Sequence, residues 1–272
     1  MGAGVTPPRS AIVTGAARGV GLAVVRRLLE ASYSVLALDG FTDIDLPYEC
    51  STPSDLLALQ GSFGSSSLSI SSVDVRDAHT LIDTVTSFCN HTSIDTPGAQ
   101  LAVVVGCAGV IDGSDRSWEL NLDTERMIIE TNLLGIMNLA RATIPALITS
   151  ASPTKRFIAI SSAAGHKPLP QLAAYVASKH GVEGFVKSLA LELTGTSVTA
   201  NAVAPGSTRT KILEHSARIY GLSSVEEFSP QHLTERLLEP AEIADAVMFL
   251  ASEGAASITG TVVAVDGGLS IT

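Results

Sequence analysis

The sequence predicts an α/β fold: one domain on a seven-stranded parallel sheet, doubly wound with helices on both faces. Three observations predict it. Seven short, β-branched apolar runs alternate with segments of helical periodicity along the 272 residues. The first run passes directly through a glycine turn into a helix. Residues with chemistry to offer fall at the ends of the runs or at the starts of the next helices, where such a sheet places its ligand crevice.

Composition narrows the function classes. With 46% hydrophobic and 16% charged residues, the chain is globular and long enough for one large core. A formal charge of −10 argues against nucleic acid or an anionic membrane as partner. The longest apolar run, Leu101 to Ile111, is interrupted by glycines and falls short of the roughly 18 residues of a membrane helix. Residues 1–10 lack the basic start and apolar core of a signal peptide. Cys50, Cys89 and Cys107 are odd in number and without metal-ligand spacing, which fits free thiols in a reducing, cytoplasmic setting. His166 and His180 find no carboxylate or cysteine at familiar ligand spacing, so no metal is expected.

Taken in order, Ala11 to Thr14 is a strand that enters Gly15-Ala-Ala-Arg18-Gly19-Val20-Gly21, and Leu22 to Ala31 is a helix. Such a turn lets backbone approach a pyrophosphate, which the helix N-terminus then attracts. Ser34 to Asp39 is the second strand, followed by Gly40. A carboxylate at Asp39 can accept both ribose hydroxyls of an adenosine and repels a 2′-phosphate, favouring NAD over NADP. Arg18 is the one contrary signal.

Residues 41–69 exceed what the connection needs. Pro53 begins a short helix with Thr52 as its cap, and Leu46-Pro47-Tyr48 reads as an excursion beside the adenosine. Leu68 to Val73 is the third strand. Asp74-Val75 at its end meets an adenine, and Asp77 caps a helix over Ala78 to His91. Leu101 to Val105 leads into Gly106-Cys107-Ala108-Gly109, small enough for close passage of a cofactor. Asp123 to Ala151 reads as one long helix, in which Asn132 is unfavourable by propensity and so needs a partner or a task. Val198 to Val203 ends at Pro205-Gly206, with Thr208 and Thr210 just beyond. Residues 211–239 have weak periodicity and read as a helical lid over substrate. Pro240 to Ser252 is a helix, and Thr261 to Val265 the last strand. Trp118 is expected on the pocket rim.

The chemistry centres on Ser162, Tyr175 and Lys179. Tyr175 and Lys179 stand four apart, on one face of a helix. A phenol is a poor acid at neutrality, and a neighbouring ammonium favours its phenolate. Ser162 follows the strand run Arg156 to Ile160, thirteen residues before Tyr175. A serine donor beside a cation-tuned tyrosine suits the oxygen of a carbonyl or alcohol.

Thr14-Gly15-x-x-x-Gly19-x-Gly21, Asp74, Ala108-Gly109, Asn132, Ser162, Tyr175-x-x-x-Lys179 and Pro205-Gly206 together resemble the classical short-chain dehydrogenase/reductase family, over nearly the whole chain. The resemblance implies a Rossmann-like domain. Its NAD-binding half is about 10–155 and its catalytic and substrate half about 156–272. It also implies a tetrad, with Tyr175 as general acid/base and Ser162 as donor to the carbonyl. Lys179 would lower the Tyr175 pKa and bind the nicotinamide ribose, and Asn132 would hold a relay water. Thr208 and Thr210 match positions that hold the nicotinamide carboxamide. The usual Asn-Asn-Ala-Gly is here Gly106-Cys107-Ala108-Gly109.

A narrower resemblance, to the mycofactocin-associated dehydrogenases, rests on Leu46-Pro47-Tyr48 and on the stretch from Ser162 through His166, Tyr175 and His180 to Tyr220-Gly-Leu and Arg236-Leu-Leu-Glu-Pro240. It implies firmly held NAD that a redox peptide cofactor, mycofactocin, re-oxidises. An ordinary dehydrogenase with exchanging NAD(H) and a non-catalytic nucleotide sensor are the alternatives. The family habit implies a homotetramer, and Ile136, Leu139, Ile144, Val182, Phe185 and Leu189 look like surplus apolar surface for it.

Overall fold

The computed structural model describes residues 8–40, 48, 52–64, 66–95 (91–95 for backbone only), 99–114 and 116–272. Seven strands, β1 (Arg9–Thr14), β2 (Tyr33–Asp39), β3 (Leu68–Ser72), β4 (Gln100–Gly106), β5 (Arg156–Ile160), β6 (Thr199–Pro205) and β7 (Val262–Val265), form one sheet in the order β3-β2-β1-β4-β5-β6-β7. Every neighbouring pair is parallel. Strands covered on both faces read as continuous apolar runs, and β5 and β6 are buried at every position.

Among the described residues the α-helices are α1 (Gly19–Glu30), α2 (Ser54–Phe63), α3 (Ala78–Asp95), α4 (Leu122–Ile129), α5 (Gly135–Thr149), α6 (Ala173–Glu192), α7 (Lys211–Ile219) and α8 (Pro240–Ala251). One face is closed by α1, α2 and α8, through Val24, Leu28, Leu56, Ile243 and Val247. The other is closed by α3, α5 and α6, through Leu81, Leu139, Val182 and Val186. Each fully buried aliphatic side chain contributes roughly 1.5–3 kcal/mol. The two cores hold the sheet rigid, and with it the strand ends that carry the site.

Three local expectations change. The helix expected over 123–151 is broken: a π-helical turn, Glu130–Leu134, separates α4 from α5 and contains Asn132. Thr52 does not cap α2. The N-cap is Pro53, without a side-chain bond, and the Thr52 hydroxyl bonds the Ser54 hydroxyl instead. The residues offered as surplus for assembly are used inside the chain: Ile136, Leu139, Val182 and Leu189 are buried, and Ile144 and Phe185 pack against the same core. Asp77 does cap α3, accepting from the backbone of His79 and Thr80 at 3.1 Å each.

Candidate active site

The strand order turns back between β1 and β4, so a crevice opens above their carboxyl ends. There a cavity of about 1250 Å³ runs from the glycine turn to α7. All the cofactor residues expected from the sequence line it: Gly15, Arg18, Gly19, Val20, Gly21, Asp39, Gly40, Asp74, Val75, Cys107 to Gly109, Pro205, Gly206, Thr208 and Thr210. Ser162, Tyr175 and Lys179 line it as well, while Asn132 lies behind its wall.

The register of β1 on β2 sets Thr14 beside Leu38, so Asp39 emerges against the glycine turn. Asp39 Oδ2 accepts from Ala17 N at 2.9 Å. Gly15 adopts φ +62°, and a Cβ there would lie 2.6 Å from Ala108 N, so the turn closes on the β4 loop only with glycine. The α1 N-terminus has no side-chain cap, which leaves its first N–H groups for an anion. Thr131 Oγ1, buried at the cavity, has no partner within the protein. These features fit a dinucleotide.

At the centre, the Ser162 hydroxyl stands close enough to the Tyr175 phenol to favour its phenolate, and Ser162 Oγ accepts from Ala164 N at 3.1 Å. Lys179 Nζ stands 5.7 Å from the Tyr175 ring centre and donates to Ile160 O at 3.0 Å. All three meet because β5 ends at the serine while α6 presents the tyrosine and lysine one turn apart. The electrostatics differ from the expectation. Burial pushes the Tyr175 phenol above its ordinary range, with the Ser162 hydroxyl opposing it. Burial brings Lys179 down to about 8. The cation is thus itself desolvated, and its proton points at a carbonyl, so it does not dominate the phenol. Burial pushes the Cys107 thiol up to about 12, which makes it a poor nucleophile.

The task of Asn132 in the π-turn is visible. Its Oδ1 accepts from Val110 N at 2.8 Å, and its Nδ2 donates to Val110 O at 2.9 Å and Ser178 Oγ at 3.0 Å. The side chain clamps the β4 loop to α6, with both amide protons used. The Asp74 carboxylate is engaged by Arg76 at 2.6–3.1 Å. Burial pushes its pKa up, but the Arg76 bonds outweigh this and leave it below the ordinary carboxylate range.

The substrate end is apolar. Val110, Ile111, Leu169, Leu172, Ile212 and Phe228 line it under α7. The 211–239 segment is α7 followed by a capped 3-10 turn (Val225–Gln231), and a single bridge pairs Leu238 with Thr208. Thr210 caps α7. Trp118 is 76% exposed beneath Arg116 and takes no part in the cavity lining, correcting its placement on the rim.

Two groups escaped the sequence reading. Tyr48 Oη accepts from Ile111 N at 3.1 Å, with Arg18 over its ring at 5.5 Å and the His215 ring at 5.0 Å. His215 Nε2 in turn lies 3.0 Å from Asp112 Oδ1. The rest of the 41–51 excursion lies outside the described residues. The second group, around Glu183, lies behind Ser162. Neither has a local spacing signal, because their hydrogen-bonded partners are 17 to 103 residues apart.

Residues 15–270 match the family model described as enoyl-(acyl carrier protein) reductase. Among curated relatives, a putative ketoacyl reductase of Streptomyces coelicolor is 31% identical, with 95% of this chain and 96% of that protein covered. The (−)-trans-carveol dehydrogenase of Rhodococcus erythropolis is 30% identical over 96% of this chain and 97% of that one. Among solved structures, carveol dehydrogenase from Mycobacterium avium in complex with NAD superposes with a TM-score of 0.88. It is 27% identical and covers 97% of this chain and 98% of that chain.

Proposed function

Because this chain belongs to the short-chain dehydrogenase/reductase family, we propose that its cleft oxidises an apolar secondary alcohol, or reduces the matching ketone, at Tyr175. It is an NAD-dependent oxidoreductase acting on alcohols and ketones. The observation that carries the residue assignment is that Ser162, Tyr175 and Lys179 line one cavity together, between the dinucleotide cradle and an apolar pocket, with Lys179 Nζ 5.7 Å from the Tyr175 ring.

Bound NAD supplies the hydride acceptor or donor. Tyr175 takes the hydroxyl proton of an alcohol, or gives its own proton to a ketone oxygen. Ser162 donates to that same oxygen and fixes its place. Lys179 holds positive charge beside the phenol and meets the nicotinamide ribose, while Asn132 keeps the β4 loop and α6 in register. At the other end, Asp39 would accept the ribose hydroxyls, and the first N–H groups of α1 would meet the pyrophosphate. Thr208 and Thr210 would hold the carboxamide end.

The substrate is a free alcohol rather than a carrier-protein thioester. The pocket under α7 is apolar, and a chain of net charge −10 repels acidic carriers. Tyr48 supports a narrower reading: it ties the excursion after Asp39 to Arg18, Ile111 and His215, which favours NAD that does not exchange and a mycofactocin-type acceptor. The working form is a cytoplasmic homotetramer. Assay of apolar secondary alcohols, beginning with carveol, against added NAD and against a redox dye tests the reading. Failure of every alcohol with both acceptors sinks it.

A further inference from the structure

Glu183 follows Lys179 by one turn of α6 and Tyr175 by two, so the three share a face. It is 5% exposed, and a carboxylate so placed needs bonded partners. Its Oε1 accepts from Ser161 Oγ at 3.0 Å and lies 3.1 Å from His166 Nδ1. Those partners bracket the loop that carries Ser162. Between them, a Cβ on Gly165 would sit 2.1 Å from Oε1 and 2.6 Å from Ser161 Oγ, so the loop wraps the carboxylate too closely for any side chain. Beyond the bracket, Lys167 Nζ is bonded to Leu269 O at 2.8 Å and Thr272 O at 2.9 Å. The loop is therefore anchored on both sides, and its inner anchor is one oxygen on the helix of Tyr175.

We propose that Glu183 is a positioning residue: its buried carboxylate locks the Ser162 loop to α6, and so sets the place of the Ser162 hydroxyl against Tyr175. The proposal rests on the reading of Tyr175 and Ser162 given above. Without the carboxylate, Ser161 Oγ keeps only Lys179 O at 3.4 Å, and the loop is free to drift from α6. Drift of about 1 Å in a catalytic group can cost on the order of 100-fold. The Ser162 hydroxyl beside the phenol lowers the Tyr175 pKa, so its displacement has a signature that packing loss alone does not give. The titratable groups around this lock are Lys179 on α6, His166 and Lys167 in the loop and Asp266 across from His166.

The test compares Glu183→Leu, Glu183→Gln and Ser161→Ala. The phenolate absorbance titration is read as a difference from Tyr175→Phe, and kcat and KM are read with carveol as probe alcohol. Glu183→Leu and Ser161→Ala should move the Tyr175 titration to higher pH and lower kcat by about 10- to 100-fold, with KM within about threefold. Glu183→Gln keeps an acceptor oxygen and should stay within about threefold of the parent. If Glu183→Leu does not fold, Ser161→Ala decides alone. The titration decides without turnover if carveol is not a substrate. An unmoved Tyr175 titration in the folded variants overturns the proposal, whatever happens to stability. A fully active Tyr175→Phe overturns the reading of the site, and the proposal with it. Active Glu183→Leu beside inactive Tyr175→Phe overturns the proposal alone.

Discussion

Asp39 Oδ2 accepts the backbone N–H of Ala17 at 2.9 Å, so the end of β2 is bonded to the glycine turn it faces. The bond orients the carboxylate toward the adenosine end of the cavity. Asp39→Ala removes both the ribose acceptor and the negative charge that rejects a 2′-phosphate. Affinity for NAD should fall by about 10- to 100-fold, the scale of charge-assisted bonds, while affinity for NADP falls less or rises. Calorimetry on nucleotide-stripped protein measures both. An unchanged NAD-to-NADP ratio would remove Asp39 from the cofactor assignment.

Tyr175→Phe deletes one hydroxyl from a side chain that is otherwise packed in the core around Ile111, Ala164 and Leu172. The fold and nucleotide binding should survive, and turnover should drop by about 10² to 10⁴. Retention of more than a tenth of parental kcat excludes Tyr175 as the acid/base.

Lys179 makes a prediction about stability. Burial brings its folded pKa down to about 8, from the 10.5 of an exposed lysine. The folded state therefore binds fewer protons than the unfolded state between those values, and this residue's contribution to stability rises with pH across that window. At pH 7 the buried cation is a net cost. Lys179→Met should stabilise the protein by about 1–2 kcal/mol at pH 7, after about 1 kcal/mol is lost with the Ile160 bond. The advantage should shrink as pH rises from 8 toward 10.5, while activity is lost throughout. Denaturant midpoints at pH 7 and 10 measure it. A destabilised variant at pH 7 contradicts the assigned burial cost.

Assembly is the fourth prediction. Leu122 on α4, Leu134 in the π-turn, Ile148 on α5 and Leu191 on α6 are the exposed apolar side chains of those elements. They, rather than the residues already spent in the core, offer surface for a twofold interface. Light scattering at micromolar concentration should give four chain masses. A monomer mass refutes the homotetramer.

The sequence made legible what is local or periodic. The β-branched runs gave all seven strands within a residue or two, and the glycine turn, Asp39, Ser162, Tyr175 and Lys179 were placed where they line one cavity. It did not reveal the π-turn, because an inserted residue leaves helical periodicity almost unchanged over so few residues. Nor did it reveal the direction of the Tyr175 and Lys179 pKa values. That direction depends on burial, and a four-residue spacing says nothing about burial. Glu183 belongs to no motif in the sequence, and only the approach of Gly165 and Ser161 makes it an anchor. Trp118 erred the other way, as an aromatic beside the pocket residues in sequence that stands out in solvent.

The last prediction concerns how NAD leaves, and it turns on Tyr48. That side chain is 6% exposed although the sequence around it is an excursion beyond the fold's needs. Its contacts reach three separate parts of the site: Arg18 in the glycine turn, Ile111 after β4, and His215 on α7, which is itself tied to Asp112. A cofactor held between the glycine turn and α7 would have to part those contacts before leaving, and such contacts act chiefly on the off-rate. Purified protein should therefore carry near-stoichiometric nucleotide, fail to turn over repeatedly with added NAD alone, and cycle when a redox dye is supplied. Tyr48→Phe removes the bond to Ile111 and should release NAD about 5- to 10-fold faster, matching the loss of one hydrogen bond of about 1 kcal/mol. Tyr48→Ala removes the ring contacts as well and should convert the enzyme to steady turnover on added NAD, with Tyr175 chemistry intact. Nucleotide released by acid and counted by absorbance gives the occupancy, and a stopped-flow chase gives the rate. If the parent protein is nucleotide-free and cycles steadily on added NAD, Tyr48 only anchors a longer loop, and the enzyme exchanges its cofactor like an ordinary dehydrogenase.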